Sequence, residues 1–419
     1  MRVGLRWYEK SGAARVISRG AEILSATRGA RNQAGPVSGL ASRLLSQREV
    51  SQPMGDCPSI QRPGRAAPGL ILLCAVGLTL AACAAPPPSE PRGPLRWPEP
   101  PQTVRIEFVR SIRGAADIAR PPGLWQKVAL LLGVSEPRAT RPIAHPADVE
   151  ISDDGTLLYV SDFAQGLVHV FDLEAGTTRY FGEHQPFVRP FGLALDAEGN
   201  LYVAEQELRR IRVVSPSGDL IRTIPCGNVL RPVDIELDES GERIFVVDGS
   251  RQFSPEHYVH VLSLEGEELA RIGGGRGSAP GELLFPTYLA LDESGRVFVT
   301  DTMNSRISVF GPDGEFERTI GDRGDGAGFF DKPKGLAFDA FGNLYVVDSS
   351  WSNVQIFGPH GDVLLYFGGR GGYAGLLRNP TGIAIARDAH EIVVGDYLNR
   401  RLSLYRLVNT TAGDGIPQP

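Results

Sequence analysis

Two short runs of this chain set acids two residues apart, Asp148-Val149-Glu150 and Asp234-Ile235-Glu236. On an extended strand alternate side chains share a face, so both acids of a pair point one way while Val149, Ile151, Ile235 and Leu237 take the other. Four carboxylates brought near one another repel unless they are hydrated, paired with a cationic side chain or bound to an ion. Arg189, Arg231, Lys332 and Lys334 are the side chains available for pairing. An ion held by oxygen alone, with Glu150 and Glu236 as its main ligands, would be calcium or magnesium rather than a transition metal. Such a site would suit a hydrolase or lyase; solvated or Arg-paired acids would leave the same residues without a reaction to carry.

A second set of acids recurs once per repeat: Asp162, Glu205, Asp248, Asp301, Asp348 and Asp396. An acid closing a strand bonds the backbone of the loop that follows, which predicts a structural role for this ring rather than a binding rim. The seven histidines bring no metal pair. His257 and His260 are three apart on a strand pattern and point to opposite faces, and one histidine, His145, does not make a zinc site. An expanded loop from Gly249 to Tyr258 offers Arg251, Phe253 and His257 as candidate contacts, because long loops on a rigid scaffold are where binding evolves.

The elements that must position these residues follow from periodicity. Fifty glycines and 32 prolines among 419 residues, with three methionines, point to many short strands and turns. Prolines at 146, 190, 232, 286, 333 and 380 each open a run such as Gly-Leu-Ala-Leu-Asp, followed by a glycine turn, a run such as Leu-Tyr-Val-Ala-Asp, and a third apolar run. Repeats of this length built from strands predict an all-β, six-bladed β-propeller. The last repeat lacks a fourth strand, and 103–112 alternates like an outer strand. It is therefore expected to complete blade six and close the ring, since an open ring exposes edges. Residues 123–133 have the apolar spacing of one short helix before blade one.

Asp301-Thr302-Met303-Asn304-Ser305-Arg306-Ile307-Ser308-Val309-Phe310, followed by Gly311-Pro312-Asp313-Gly314, resembles the NHL repeat. Weaker copies stand in blades two, five and six, and the resemblance covers about residues 142–408. It implies the propeller fold strongly and function weakly, since propellers host many activities. Some relatives it implies are zinc-dependent amidating lyases with histidines converging on the channel. That set is not matched here. Lactonase-type propellers hold a divalent ion with an acid, an Asn and an Asp; Asn304, Asn353 and Asn399 could serve, although the repeat already accounts for them.

Ahead of the repeats, Leu70 to Ala82 is apolar, too short to span a membrane, and preceded by Arg62 and Arg65. It ends in Leu80-Ala81-Ala82-Cys83, which resembles a bacterial lipobox and implies lipidation of Cys83. The expected organisation is an extension over 1–53, disordered or upstream of the true start, a signal peptide over 54–82, a Pro-rich tether over 83–102, the propeller over 103–408 and a flexible tail over 409–419. Ala84 after the cysteine implies the outer membrane, facing the periplasm. Of the four cysteines only Cys226 then stays free in the mature chain, which excludes a structural disulfide and a multi-cysteine zinc site.

Residues 142–408 carry 23 Lys and Arg against 39 Asp and Glu, an acidic body that argues against nucleic-acid binding. The sequence favours an exported, lipid-anchored monomer that binds an envelope protein or a small ligand and has no certain cofactor. The alternative is a hydrolase or lyase dependent on calcium or another divalent cation at the channel mouth.

Overall fold

The computed structural model describes residues 95–121, 140–249 and 254–409. Among these the only helical elements are two short 3-10 turns, Ala115–Asp117 and Thr302–Asn304; the rest of the regular structure is β-strand. The strands form six antiparallel sheets, five of four strands and one of five. Each inner strand starts on one of the six expected prolines: Pro146–Ile151, Pro190–Leu195, Pro232–Leu237, Pro286–Leu291, Pro333–Phe338 and Pro380–Ala386. Proline fits there because it has no N–H to donate and the inner edge of each sheet has no further strand to bond.

Blade six closes the ring as the sequence predicts. Ile106–Ile112 pairs antiparallel with Arg401–Leu407, Ile106 opposite Leu407 and Ile112 opposite Leu402. A fifth strand, Arg96–Trp97, adds outside it. That strand lies inside the segment read as tether. Trp97 explains the difference, because its ring packs against Phe367 and Tyr405 at 6.0 and 5.8 Å and so joins the blade. The short helix at 123–133, Cys83 with its signal segment, the extension over 1–53 and the tail beyond 409 fall outside the described residues.

The described residues share no single core. Apolar side chains fill six wedges between neighbouring sheets, such as Tyr159, Val170, Phe181, Leu193 and Val203 between blades one and two. Each such side chain, once buried, contributes about 1.5–3 kcal/mol. In every blade the register between the inner and second strands shifts just after the leading proline, for example between Pro190 and Leu193 and between Pro286 and Leu289. The shift leaves inner-strand N–H groups without a ladder partner, and side chains must supply one.

Candidate functional site at the central channel

Counting from each leading proline, the third residue is Asp148, Gly192, Asp234, Tyr288, Gly335 and Gly382 in blades one to six. Its side chain points toward the next blade. A Cβ on Gly192 would lie 2.5 Å from the Asp234 Cα, and one on Gly382 would lie 2.9 Å from the Asp148 Cα. At those junctions the inner strands touch, and only glycine fits. Where the residue is larger, the side chain occupies the junction and does a job there. Asp148 Oδ2 accepts the Leu193 N–H at 2.9 Å, and Asp234 Oδ2 accepts the Leu289 N–H at 2.8 Å. The N–H groups that the register shift sets free, such as those of Asp148 and Tyr288, donate instead to Ser161 Oγ and Thr300 Oγ1. Two of the four channel acids are thus spent on joining neighbouring blades.

Tyr288 crosses the axis. Its hydroxyl donates to the Ala147 carbonyl at 2.7 Å, from blade four to blade one on the opposite side of the ring, and the side chain is buried. The phenol forms a floor under the mouth, where the lead-in loops and the loops after the second strands gather. The sequence reading noted the acids at this position but missed Tyr288. The signal was present, since it stands where three blades have glycine.

Glu150 and Glu236, at the fifth position, lie beyond that floor and are half-buried. The charges around them come from the turns at the far end, Asp153 beside Glu150 and Arg387 beside Glu236. They therefore belong to the opening opposite the mouth, not to the mouth as the sequence suggested. Burial pushes all four carboxyls up, Asp148 to about 7 and Glu236 to about 8. Glu150 is raised further by Glu236 and Asp148, and Asp234 by Asp148.

Arg189, Lys332 and Lys334, three of the four cations expected to pair with these acids, form no ion pair with them among the described residues. Arg189 meets Glu207 at 3.3 Å and lies 5.8 Å above the Phe163 ring. Lys332 and Lys334 stand on the mouth side of Tyr288. Nor, among the described residues, do three or more His, Cys, Asp or Glu side chains gather closely enough to hold a metal ion. With Asp148 and Asp234 each bonded to an N–H, only Glu150 and Glu236 offer free carboxylates, fewer ligands than the six to eight oxygens calcium takes. That donor set does not fit a resident calcium by itself.

The second acidic ring is structural, as expected. All six members are fully buried. Each carboxylate accepts N–H bonds from the loop leading into its own blade: Ala144 to Asp162, Val188 to Glu205, Leu230 to Asp248, Leu284 to Asp301, Asp331 to Asp348 and Arg378 to Asp396. Side chains from the third strand or the loop before it supply the counter-charge in several blades, among them Arg306 to Asp301 and Arg401 to Asp396, both at 2.9 Å. Asn304 and Asn399 bond the same two acids, so the repeat itself uses them. This clamp fixes the lead-in loops, and it holds Arg189, Phe285 and Asn379 at positive φ just before their prolines.

In the blade-three loop, Arg251 and Phe253 lie outside the described residues. His257 is fully buried, and its Nδ1 accepts the Phe285 N–H at 3.2 Å. It ties the loop to blade four and is not a contact surface, a correction the strand pattern could not have given. Cys226 is buried, and desolvation pushes its thiol up to about 12, which makes it inert.

Sequence reasoning also missed the aromatic wall of the mouth. Phe163 stacks with Phe191 at 5.4 Å and with Tyr397 at 6.3 Å, and His145 lies 5.5 Å from Phe163 and 5.2 Å from Tyr397. His145 Nδ1 is buried without a hydrogen-bond partner among the described residues.

Two family models match parts of the chain: SMP-30/gluconolactonase/LRE-like region over residues 129–241, and a 6-bladed beta-propeller family over residues 289–361. Among solved structures, a structural-genomics protein of unknown function from Bacteroides thetaiotaomicron is similar at 16% identity and a TM-score of 0.52, over 63% of this chain and 70% of that one. A gluconolactonase from Xanthomonas campestris is similar at 18% identity and a TM-score of 0.50, over 72% of this chain and 98% of that one. Virginiamycin B lyase from Staphylococcus aureus aligns at 14% identity and a TM-score of 0.44, over 64% and 86%. At these identities the likeness is one of fold. No curated protein matches the sequence.

Proposed function

We propose that this six-bladed β-propeller, NHL-type in its repeats, is an exported binding module of the cell envelope. In this reading Cys83 carries a lipid anchor in the outer membrane, the propeller faces the periplasm as a monomer, and the ligand docks at the channel mouth. The observation that carries the binding role is the Tyr288 bridge to Ala147. It keeps the groups most suited to acid–base chemistry, Glu150 and Glu236, away from the face where the loops gather. What remains at the mouth is a rigid wall of rings around an unsatisfied His145 nitrogen, which suits recognition.

A second reading, a hydrolase or lyase, is favoured by the raised carboxyls of Glu150 and Glu236 and by the gluconolactonase-like match, which spans all four channel acids. Its cation-dependent form would need ligands beyond the two free glutamates.

The test is native mass spectrometry and elemental analysis of the full chain purified from its own membranes. The expected result is a lipid-modified N-terminus at Cys83 and a co-purifying ligand that is lost from a Phe163→Leu variant. An unmodified N-terminus upstream of Cys83 would remove the anchor. A stoichiometric divalent ion that disappears from a Glu150→Ala, Glu236→Ala variant would turn the assignment to the hydrolase.

A further inference from the structure

The mouth is chemically divided around its rim. Blades six, one and two present the rings of Tyr397, His145, Phe163 and Phe191. Blades three and five present cations: Arg231 just before one inner strand, and Lys332 and Lys334 on either side of Pro333 at the start of another. Blade four, between them, contributes hydroxyls, with Thr287 Oγ1 at 2.6 Å from Thr302 Oγ1 and 3.1 Å from Thr300 Oγ1.

The cationic side is unusual in its setting. The body of the protein has an excess of acids, yet neither Lys332 nor Lys334 forms an ion pair or side-chain hydrogen bond among the described residues. Burial, reinforced by Lys332 and Arg231, pushes the Lys334 amine below the ordinary lysine range. The charges that act on Lys334 are those of Lys332 and Arg231, not those of the channel acids. Two lysines kept side by side without a counter-charge are stabilised by an anion that enters between them.

We infer that the mouth binds a small organic acid, its carboxylate held between Lys332 and Lys334 and its planar apolar part laid against Phe163, Phe191 and Tyr397. This rests on the reading of the mouth as a binding site and names the class of ligand it takes. His145 Nδ1 would then meet a polar substituent near the plane.

The test uses the full chain with 2-naphthoate, its uncharged counterpart 2-naphthamide, and inorganic phosphate as competitor, followed by saturation-transfer NMR. The expected result is naphthoate bound about 10-fold or more tighter than naphthamide, the worth of a charge-assisted contact. Lys334→Met and Lys332→Met should each reduce that preference without lowering the melting temperature, since neither side chain bonds the protein and the Lys334 charge is buried beside like charges. Phe163→Leu should weaken both probes several-fold. Equal affinity for the two probes, full preference retained in both lysine variants, or displacement by phosphate at the naphthoate affinity itself would each overturn the inference. If naphthoate does not bind while a co-purified ligand is still lost from Phe163→Leu, the acid class is wrong and the binding reading stands. If neither is seen, both fail.

Discussion

Among the described residues Lys332 and Lys334 stand at the mouth of the channel without carboxylates, while at the far end Glu236 has Arg387 beside it and Glu150 has further acids. Both ends are built on the same six strands, a few residues apart. In open communication these groups would pair and neutralise one another. They do not, because the third position of the inner strands works as a partition: two aspartates turned into the junctions and one tyrosine laid across the axis. A channel with six glycines at that position would have one electrostatic environment, and this one has two.

The partition can be attacked first where it is tightest. Gly192→Val or Gly382→Val should cost about 3 kcal/mol or more, as overpacking against backbone with no room to yield, read from urea unfolding. A cost below about 1 kcal/mol would mean that the inner strands are free to part, and the distinction between touching and filled junctions would fall.

The channel acids should reveal themselves through pH. A carboxyl whose pKa is higher in the folded than in the unfolded protein stabilises the fold while protonated, and that contribution is lost as pH rises through the folded value. For Asp148 and Glu236 the window runs from the ordinary carboxyl range to about 7 and about 8. Stability should therefore fall between about pH 5 and pH 8. Since a tenfold difference in proton affinity between the folded and unfolded chain is worth about 1.4 kcal/mol, the fall should be read as several degrees in Tm. Glu236→Gln should flatten that slope, and Asp148→Asn should do so while keeping an acceptor for the Leu193 N–H. A flat profile in the unaltered protein would show that water reaches these acids freely.

The mildest probe is Tyr288→Phe, which removes the bond to Ala147 but leaves the ring. It should cost about 1 kcal/mol, the worth of one buried hydrogen bond. If the cost is nil, the hydroxyl is a passenger and only the ring divides the channel.

Much of this frame was legible in the sequence, because repetition makes position readable. The six prolines mark the first residues of the inner strands, the alternation of 103–112 finds the closing strand, and the acid ending each second strand turns out to hold its loop. What stayed hidden depends on which blades face each other. Tyr288 acts on Ala147, 141 positions away, and no local pattern joins them. The cations at the strand starts looked like partners for the acids until the fold set a tyrosine between them. His257 reads as an exposed loop residue and proves to be a buried fastening, since burial depends on the neighbouring blade and not on the loop's own composition.

The pairing of Ile106–Ile112 with Arg401–Leu407 bears on how such a molecule comes into being and how it comes apart. The strand that finishes the last blade is made before the first blade, so nascent chain must wait with that edge unsatisfied until synthesis has passed Leu407. Contacts so distant along the chain form late and slowly. Once made, the same clasp means that neither end can peel away alone, and the lifetime of the folded ring is then governed by how often one seam opens.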